Sequence, residues 1–257
     1  MPSSPPPAIS VEDVTLAFGS FVVMRDLTFD VEPGEILVLM GGSGSGKSTL
    51  LKHMLGLMEP AEGTIRMEGH DLWAIDEDKR SAMLRHAGVL YQKGALWSNM
   101  TLAENIALPL HEHTSLDASD IDRIASLKLA LVGLNGFEDF RPHEISGGMR
   151  KRAALARAIA LDPNILFFDE PTSGLDPVSA RRLDDLILQR RDSLETTIIV
   201  VTHDLESIFT IADRALYLDI ETKTMTALGP PEDLRSNPPN DRVYHFLTRT
   251  LADEERA

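Results

Sequence analysis

Apolar residues in this chain fall into short dense runs, separated by stretches where they recur every three or four positions. Ile36–Met40, Ile165–Phe168 and Ile198–Val201 are uninterrupted, the pattern of strands covered on both faces of a parallel sheet. Val89–Tyr91 and Ala215–Asp219 add two strands, and Thr64–Glu68 another before a Gly69-His70 turn. Near the start, Ile9–Ala17 and Phe21–Val23 flank a Phe18-Gly19-Ser20 turn, and Leu27–Val31 runs into Pro33-Gly34. Helical periodicity marks residues 48–57, 76–86, 102–108, 119–132, 148–161, 178–194 and 205–212. Strands alternating with helices predict an α/β fold. From about 95 to 155 no strand pattern occurs, so a helical sub-lobe inserted between two core strands is expected. Thr101-Leu102-Ala103-Glu104 opens one of its helices as a capping box. After Gly229-Pro230-Pro231 a tail spans 231–257. There Val243, Phe246, Leu247 and Leu251 share one helical face, suited to docking on a neighbouring subunit.

Composition narrows the classes. At 257 residues the chain can bury a sizeable core, as one large domain or a domain with a sub-lobe. It contains no cysteine, which excludes a disulfide framework, a thiolate zinc site and a cysteine nucleophile. Its apolar runs are far shorter than the roughly 20 residues of a membrane span. Met1–Ala8 is rich in Pro and Ser and lacks the basic and apolar regions of a signal peptide; a disordered lead-in is expected. Lys and Arg total 25 against 40 Asp and Glu, a net charge of −15. That balance disfavours nucleic acid or anionic lipid as the main partner, so any service to a membrane runs through another protein.

Chemistry enters at Gly41-Gly42-Ser43-Gly44-Ser45-Gly46-Lys47-Ser48-Thr49, directly after the run Ile36–Met40 and before a helical pattern. The strand, loop and helix context is that of a phosphate-binding loop. Glycines let backbone N–H groups turn inward on an anion, and the following helix presents its positive end to the same point. Lys47 adds a full charge toward the β- and γ-phosphates of a nucleotide, and the Ser48 hydroxyl suits Mg²⁺.

Ile165–Phe168 ends in Asp169-Glu170. In phosphoryl transfer, a carboxylate at a strand end holds Mg²⁺ and a second polarises the attacking water. The alternative is that both acids merely begin a helix, where anions are favourable. Ser146-Gly147-Gly148 precedes another helix, as an N-cap or as an anion site.

These motifs, with Ser173-Gly174-Leu175-Asp176 downstream and His203 at the end of the next strand, resemble the ATP-binding-cassette ATPases over about residues 9–230. The resemblance implies a P-loop NTPase (RecA-like) core, an N-terminal antiparallel β subdomain and an inserted α-helical subdomain. It also implies roles. Phe18 would stack on adenine, Gly41 to Thr49 would hold the phosphates, and Gln92 would reach Mg²⁺ and sense the γ-phosphate. Ser146, Gly147 and Gly148 would close on the ATP of the opposite subunit. Asp169 would organise Mg²⁺, Glu170 would activate water, Asp176 would cross the interface and His203 would hold the γ-phosphate. The expected assembly is a homodimer around two Mg-ATP, driving an integral membrane permease. Two departures stand out: Met149 replaces a usual Gln, and Phe18 a usual Tyr.

Ser146–Arg152, Tyr91–Trp97 and Glu104–Leu110 further resemble the ATPases of Mla/Mce-type lipid-transport systems. That implies phospholipid trafficking, a peripheral place on the cytoplasmic face of the inner membrane, an Mce-type lipid-binding protein and a small regulatory subunit as partners. The alternatives are the ATPase of an amino-acid or small-solute importer and a switch signalling to a cell-wall hydrolase. Leu96, Trp97 and Met100 are either a docking lever for the permease or packing within the sub-lobe. His111-Glu112-His113 reads as a solvated loop.

Overall fold

In the computed structural model, which describes residues 6–250, strand β1 (Ile9–Phe18) hairpins into β2 (Phe21–Val31), and β3 (Ile36–Met40) leads to helix α1 (Lys47–Met54). Strands β4 (Glu62–Met67) and β5 (His70–Asp71), helix α2 (Glu77–Leu84) and strand β6 (Ala87–Leu90) come next. The adjoining stretch is helical: α3 (Leu102–His113), α4 (Ala118–Leu131), a 3-10 turn at Pro142–Glu144, and α5 (Gly147–Ala158). Then come β7 (Ile165–Asp169), α6 (Pro177–Leu194), β8 (Thr197–Val201), α7 (Leu205–Ile211) and β9 (Arg214–Asp219). Strand β10 (Thr224–Gly229) and helices α8 (Pro231–Ser236) and α9 (Asp241–Thr248) close the described chain.

Two sheets result: an antiparallel one in the order β2-β1-β4-β5 and a six-stranded one in the order β10-β9-β3-β8-β7-β6. In the larger sheet only β10 runs antiparallel to its neighbour. The uninterrupted apolar runs have their reason here, because side chains alternate between faces and both faces carry a core. Ile36, Val38 and Met40 face the helices α3 to α7, while Leu37 and Leu39 face α1 and the antiparallel sheet. Leu166 and Phe168 against Ile165 and Phe167, and Ile198 and Val200 against Ile199 and Val201, divide the same way.

Several boundaries differ from expectation, each for a local reason. The two segments read within 21–31 are one strand; Asp26, at φ 54°, sits in a left-handed kink rather than a turn between strands. Helix α3 runs through Pro109 to His113 instead of stopping at 108. Proline removes one backbone donor, but Leu110 beyond it is buried, and that burial favours continuation. Strand β10 was not anticipated: it is a half-buried edge strand with a register shift between Met225 and Ala227, so it shows no clean alternation. Ala8 belongs to the folded part, since its N–H donates to the Val31 carbonyl at 2.8 Å; residues 1–5 lie outside the described chain.

Helix α9 carries the anticipated apolar stripe and lays it on the chain's own core. Val243 and Leu247 are fully buried, and the Phe246 ring meets Tyr217 of β9 edge-on at 5.4 Å between centroids. Leu251 lies outside the described residues. Arg242 donates to the buried Asp219 carboxylate at 2.5 Å, fixing α9 to the end of β9. A second pair, Arg214 on both oxygens of buried Glu35 at 2.5 and 2.8 Å, joins the starts of β9 and β3.

This packing makes α9 part of the fold. Leu247→Ala is expected to cost about 2–4 kcal/mol in urea unfolding, through lost burial and a residual cavity. The exposed Tyr244→Ala on the same helix should stay within about 0.5 kcal/mol. Equal effects of the two would contradict it.

Candidate functional site

Three parallel neighbours set the geometry. Val201 of β8 lies opposite Leu39 of β3 on one side and Asp169 of β7 on the other. The strands therefore finish level, and the residues just beyond their ends gather at one edge: the loop 41–46 after β3, Glu170 after β7, and His203 after β8. Crevices at the carboxyl ends of parallel strands are where α/β sheets bind ligands.

The loop's conformation requires glycine at two places. Gly41 has φ 145°, and a Cβ there would come within 2.4 Å of the Leu218 carbonyl oxygen. Gly46 has φ 80°, and its Cβ would press to 2.9 Å on Val23. Gly46 is also the N-cap of α1, so no side chain satisfies the first N–H groups of that helix, and its first turn holds no acid. The starts of α2, α3, α4, α5, α6, α7 and α9 all receive a side-chain oxygen. An uncapped helix start beside a glycine cradle suits a phosphate.

Lys47 opens α1 and is nearly buried. Its Nζ donates to the carbonyls of Gly41 (2.8 Å) and Gly42 (2.7 Å) and to Ser45 Oγ at 3.3 Å. Burial pulls its ammonium below the usual lysine range, while the charges of Glu170 and Asp169 oppose that shift. Ser48 Oγ donates to Asp169 Oδ1 at 3.0 Å, bringing the two expected Mg²⁺ ligands together. The pair presents hard oxygens, the donor type Mg²⁺ prefers. Among the described residues no cluster of three or more His, Asp or Glu could hold a metal unaided.

Glu170 stands at φ 51°, outside the regions most residues adopt, with its N–H donating to the Val201 carbonyl at 2.8 Å. His203 Nδ1 lies 2.7 Å from Glu170 Oε1. A carboxylate only accepts, so Nδ1 carries a proton, and the contact orients the ring with Nε2 free for a second partner. Phe18, half exposed at the end of β1, lines a cavity of about 250 Å³ with Val23 and residues 44–49.

The remaining predicted residues lie elsewhere. Gln92 and Gly147 share a separate cavity of about 470 Å³ with Lys151 and Ser173–Leu175. Ser146 caps α5, accepting from the Met149 N–H at 3.3 Å, and Asp176 caps α6, accepting from Val178 and Ser179. A Cβ on Gly148 would reach 3.0 Å from Ser179 Oγ, which places that residue against the start of α6. Met149 packs partly buried on the helical core. None of residues 146–148 lines the phosphate-loop cavity.

Sequence reasoning missed three polar groups. Asn105 is fully buried; it accepts from the Trp97 N–H and donates to the carbonyls of Trp97, Met100 and Thr101, so the loop presents Trp97 to solvent while Leu96 packs inward. Lys151 is buried on α5 among backbone carbonyls. Asp184 of α6 accepts from Ser207 Oγ of α7 at 2.9 Å, and its other oxygen has no hydrogen-bond partner among the described residues. No motif marks them; their polarity in apolar helical patterns was the one available signal.

A family model described as ABC transporter matches residues 24–173. The chain is 44% identical over 227 residues to the "Probable ribonucleotide transport ATP-binding protein mkl" of Mycobacterium leprae, covering 88% of this chain and 65% of that protein. The chain thus spans less than two thirds of that relative. It is 40% identical over 239 residues to the "Intermembrane phospholipid transport system ATP-binding protein MlaF" of Haemophilus influenzae, covering 93% of this chain and 89% of that one. A solved dimeric ATP-binding cassette in a post-hydrolysis state, bound to ADP and Pi, superposes with TM-score 0.79 at 27% identity, covering 86% of this chain and 98% of that one.

Burial, with repulsion from Asp204, pushes the Asp184 carboxyl up to about 6. The folded chain then holds this proton more tightly than the unfolded chain, so stability from this group is full below about pH 4 and is lost as pH climbs through about 6. Asp184→Asn keeps an acceptor for Ser207 without the charge. It should match the parent in denaturant unfolding near pH 4 and exceed it by about 1–3 kcal/mol at pH 8. A constant difference across that range would contradict the buried charge.

Proposed function

The chain belongs to the ABC transporter family, and on that premise we propose that it is the ATP-binding and hydrolysing subunit of a phospholipid transporter, working as a homodimer beneath an integral membrane permease. The observation that carries the ATPase reading is the joining of Ser48 to Asp169 and of Glu170 to His203 beside an uncapped phosphate loop.

Lys47 and the N–H groups at the start of α1 hold the β- and γ-phosphates, and Phe18 stacks on the adenine. Ser48 and Asp169 would hold Mg²⁺, with Gln92 brought in from its separate cavity, and the ion would supply charge compensation for the phosphate oxygens. Glu170 accepts the proton of the attacking water, and His203, oriented through Nδ1, offers Nε2 toward the γ-phosphate. Ser146, Gly147 and Gly148 complete the site on the opposite subunit; their separation from the phosphate-loop cavity supports that arrangement. In this reading residues 9–230 are the ATPase unit, and the helical stretch within 95–155 passes its motion to the permease.

Among the described residues no helix is long and apolar enough to cross a membrane, and net charge is −15, so the permease supplies the membrane contact. In this reading the chain works at the cytoplasmic face of the inner membrane, with an Mce-type lipid-binding protein and a small regulatory subunit as further partners. The mycobacterial relative's name assigns ribonucleotide transport to that protein. Phospholipid is preferred because this chain spans 89% of the Haemophilus protein against 65% of the mycobacterial one.

Purification of tagged Glu170→Gln from its own membranes tests the reading. The variant should retain ATP, lose about 100-fold or more in kcat, and bring down a permease with enriched phospholipid. Turnover at the parental rate would remove Glu170 from the chemistry. A solute permease without lipid would overturn the cargo.

A further inference from the structure

Helix α5 carries three buried or half-buried cations, Lys151, Arg152 and Arg157, with no carboxylate partner in hydrogen-bond range among the described residues. Arg152 donates to the Val132 and Gly133 carbonyls at 2.9 and 3.0 Å, and the other two reach toward the strand ends. Lys151 Nζ donates to the carbonyl of Gln92 and, at 3.0 Å, to that of Glu170. Arg157 donates through Nη1 to the Ala95 carbonyl at 2.7 Å and through Nη2 to that of Gly94 at 3.0 Å. A buried lysine without a paired acid is uncommon, and an ammonium bonded to backbone fixes that backbone in place.

Three of the four carbonyls that Lys151 and Arg157 hold belong to residues in the left-handed region, Gln92 being the exception. Glu170 has φ 51°, Ala95 has φ 50° and Gly94 has φ 76°. A non-glycine residue in the left-handed region persists only where its surroundings over-determine it. Lys151 therefore secures the kink at Glu170, whose side chain meets His203, and Arg157 secures the kink at Gly94 and Ala95. Packing adds to this: a Cβ on Gly94 would stand 3.4 Å from Ala154 of α5, and the segment also borders the 470 Å³ cavity.

We propose that Lys151 and Arg157 form a clamp by which α5 holds the segment 92–95 and the Glu170 kink, making Lys151 a positioning residue and α5 the link between the two halves of the reaction machinery. The Ser146-Gly147-Gly148 end of α5 then moves as one body with the Gln92 loop. A change at Gln92 or Glu170 is thereby passed along α5 to the surface that meets the other subunit. This rests on the reading of Gln92, Glu170 and Ser146–Gly148 given above.

Lys151→Met and Arg157→Met in the full chain test it, read by amide hydrogen exchange without nucleotide and by ATPase kinetics. Each variant should quicken exchange over 92–97 by about tenfold or more, as expected for a lost charge-assisted bond, and leave the β3 amides unchanged. Lys151→Met should also lower kcat by roughly 10- to 100-fold with KM for ATP nearly constant, because groups are misplaced rather than binding removed. Lys151→Arg should restore most of that rate. Unchanged exchange over 92–97 in both variants would overturn the clamp, whatever the kinetics. If Lys151→Met loses β3 protection and so fails to fold, Arg157→Lys, which keeps the charge and loses the fork, carries the same exchange test. A parent that turns over no ATP would remove the functional reading, and the exchange result would still decide the clamp.

Discussion

Three parallel strands that stop level with one another are the constraint on which the rest of this molecule depends. Val201 pairs with Leu39 and with Asp169, so a shift of one residue in either pairing would carry the phosphate loop away from the carboxylates. It would also invert every buried side chain of that strand, since β3, β7 and β8 divide their side chains between two cores. Hydrophobic burial thereby fixes the register, and the register brings Ser48 to Asp169 and Glu170 to His203. The energy that holds the site lies in Ile, Leu, Val and Phe side chains that never touch a ligand.

Polar chemistry is added at the strand ends by leaving selected backbone groups unsatisfied and fastening others. The start of α1 receives no capping side chain and remains open to an anion. Ser146 and Asp176 instead cap their own helices, α5 and α6. In the proposed account these two residues serve twice, ordering a helix start within the chain and presenting it to a second copy. Both are exposed, as such a surface requires. The cations of α5 then tie that surface back to the strand ends, giving the two composite sites a common rigid element.

Much of this was legible in the sequence because the signals were local. The two-faced strands, the strand, loop and helix around Lys47, the carboxylates closing 165–170 and the capping box at Thr101 each arise from residues a few positions apart. What escaped depended on distant partners. Strand β10 exists because β9 offers an edge, not because of its own alternation. Pro109 suggested a helix end, and tertiary burial of Leu110 overrode it. The stripe on α9 was visible, but its target was not: periodicity identifies an apolar face without saying which surface will cover it. Lys151 looked like one more charge in a basic stretch; only the fold turns it inward onto carbonyls 59 and 19 positions away.

The central claim is that the phosphate loop of one copy meets the Ser146-Gly147-Gly148 segment of another. Because the chain has no cysteine of its own, one residue can be placed on each side without background. Chains carrying Ser43→Cys and chains carrying Ser146→Cys, both in a Glu170→Gln background, are mixed and oxidised mildly with and without Mg-ATP. The account predicts a disulfide-linked heterodimer that forms with Mg-ATP and is sparse without it. A mixture that stays monomeric under oxidation in saturating ATP, or that cross-links equally without nucleotide, would contradict it.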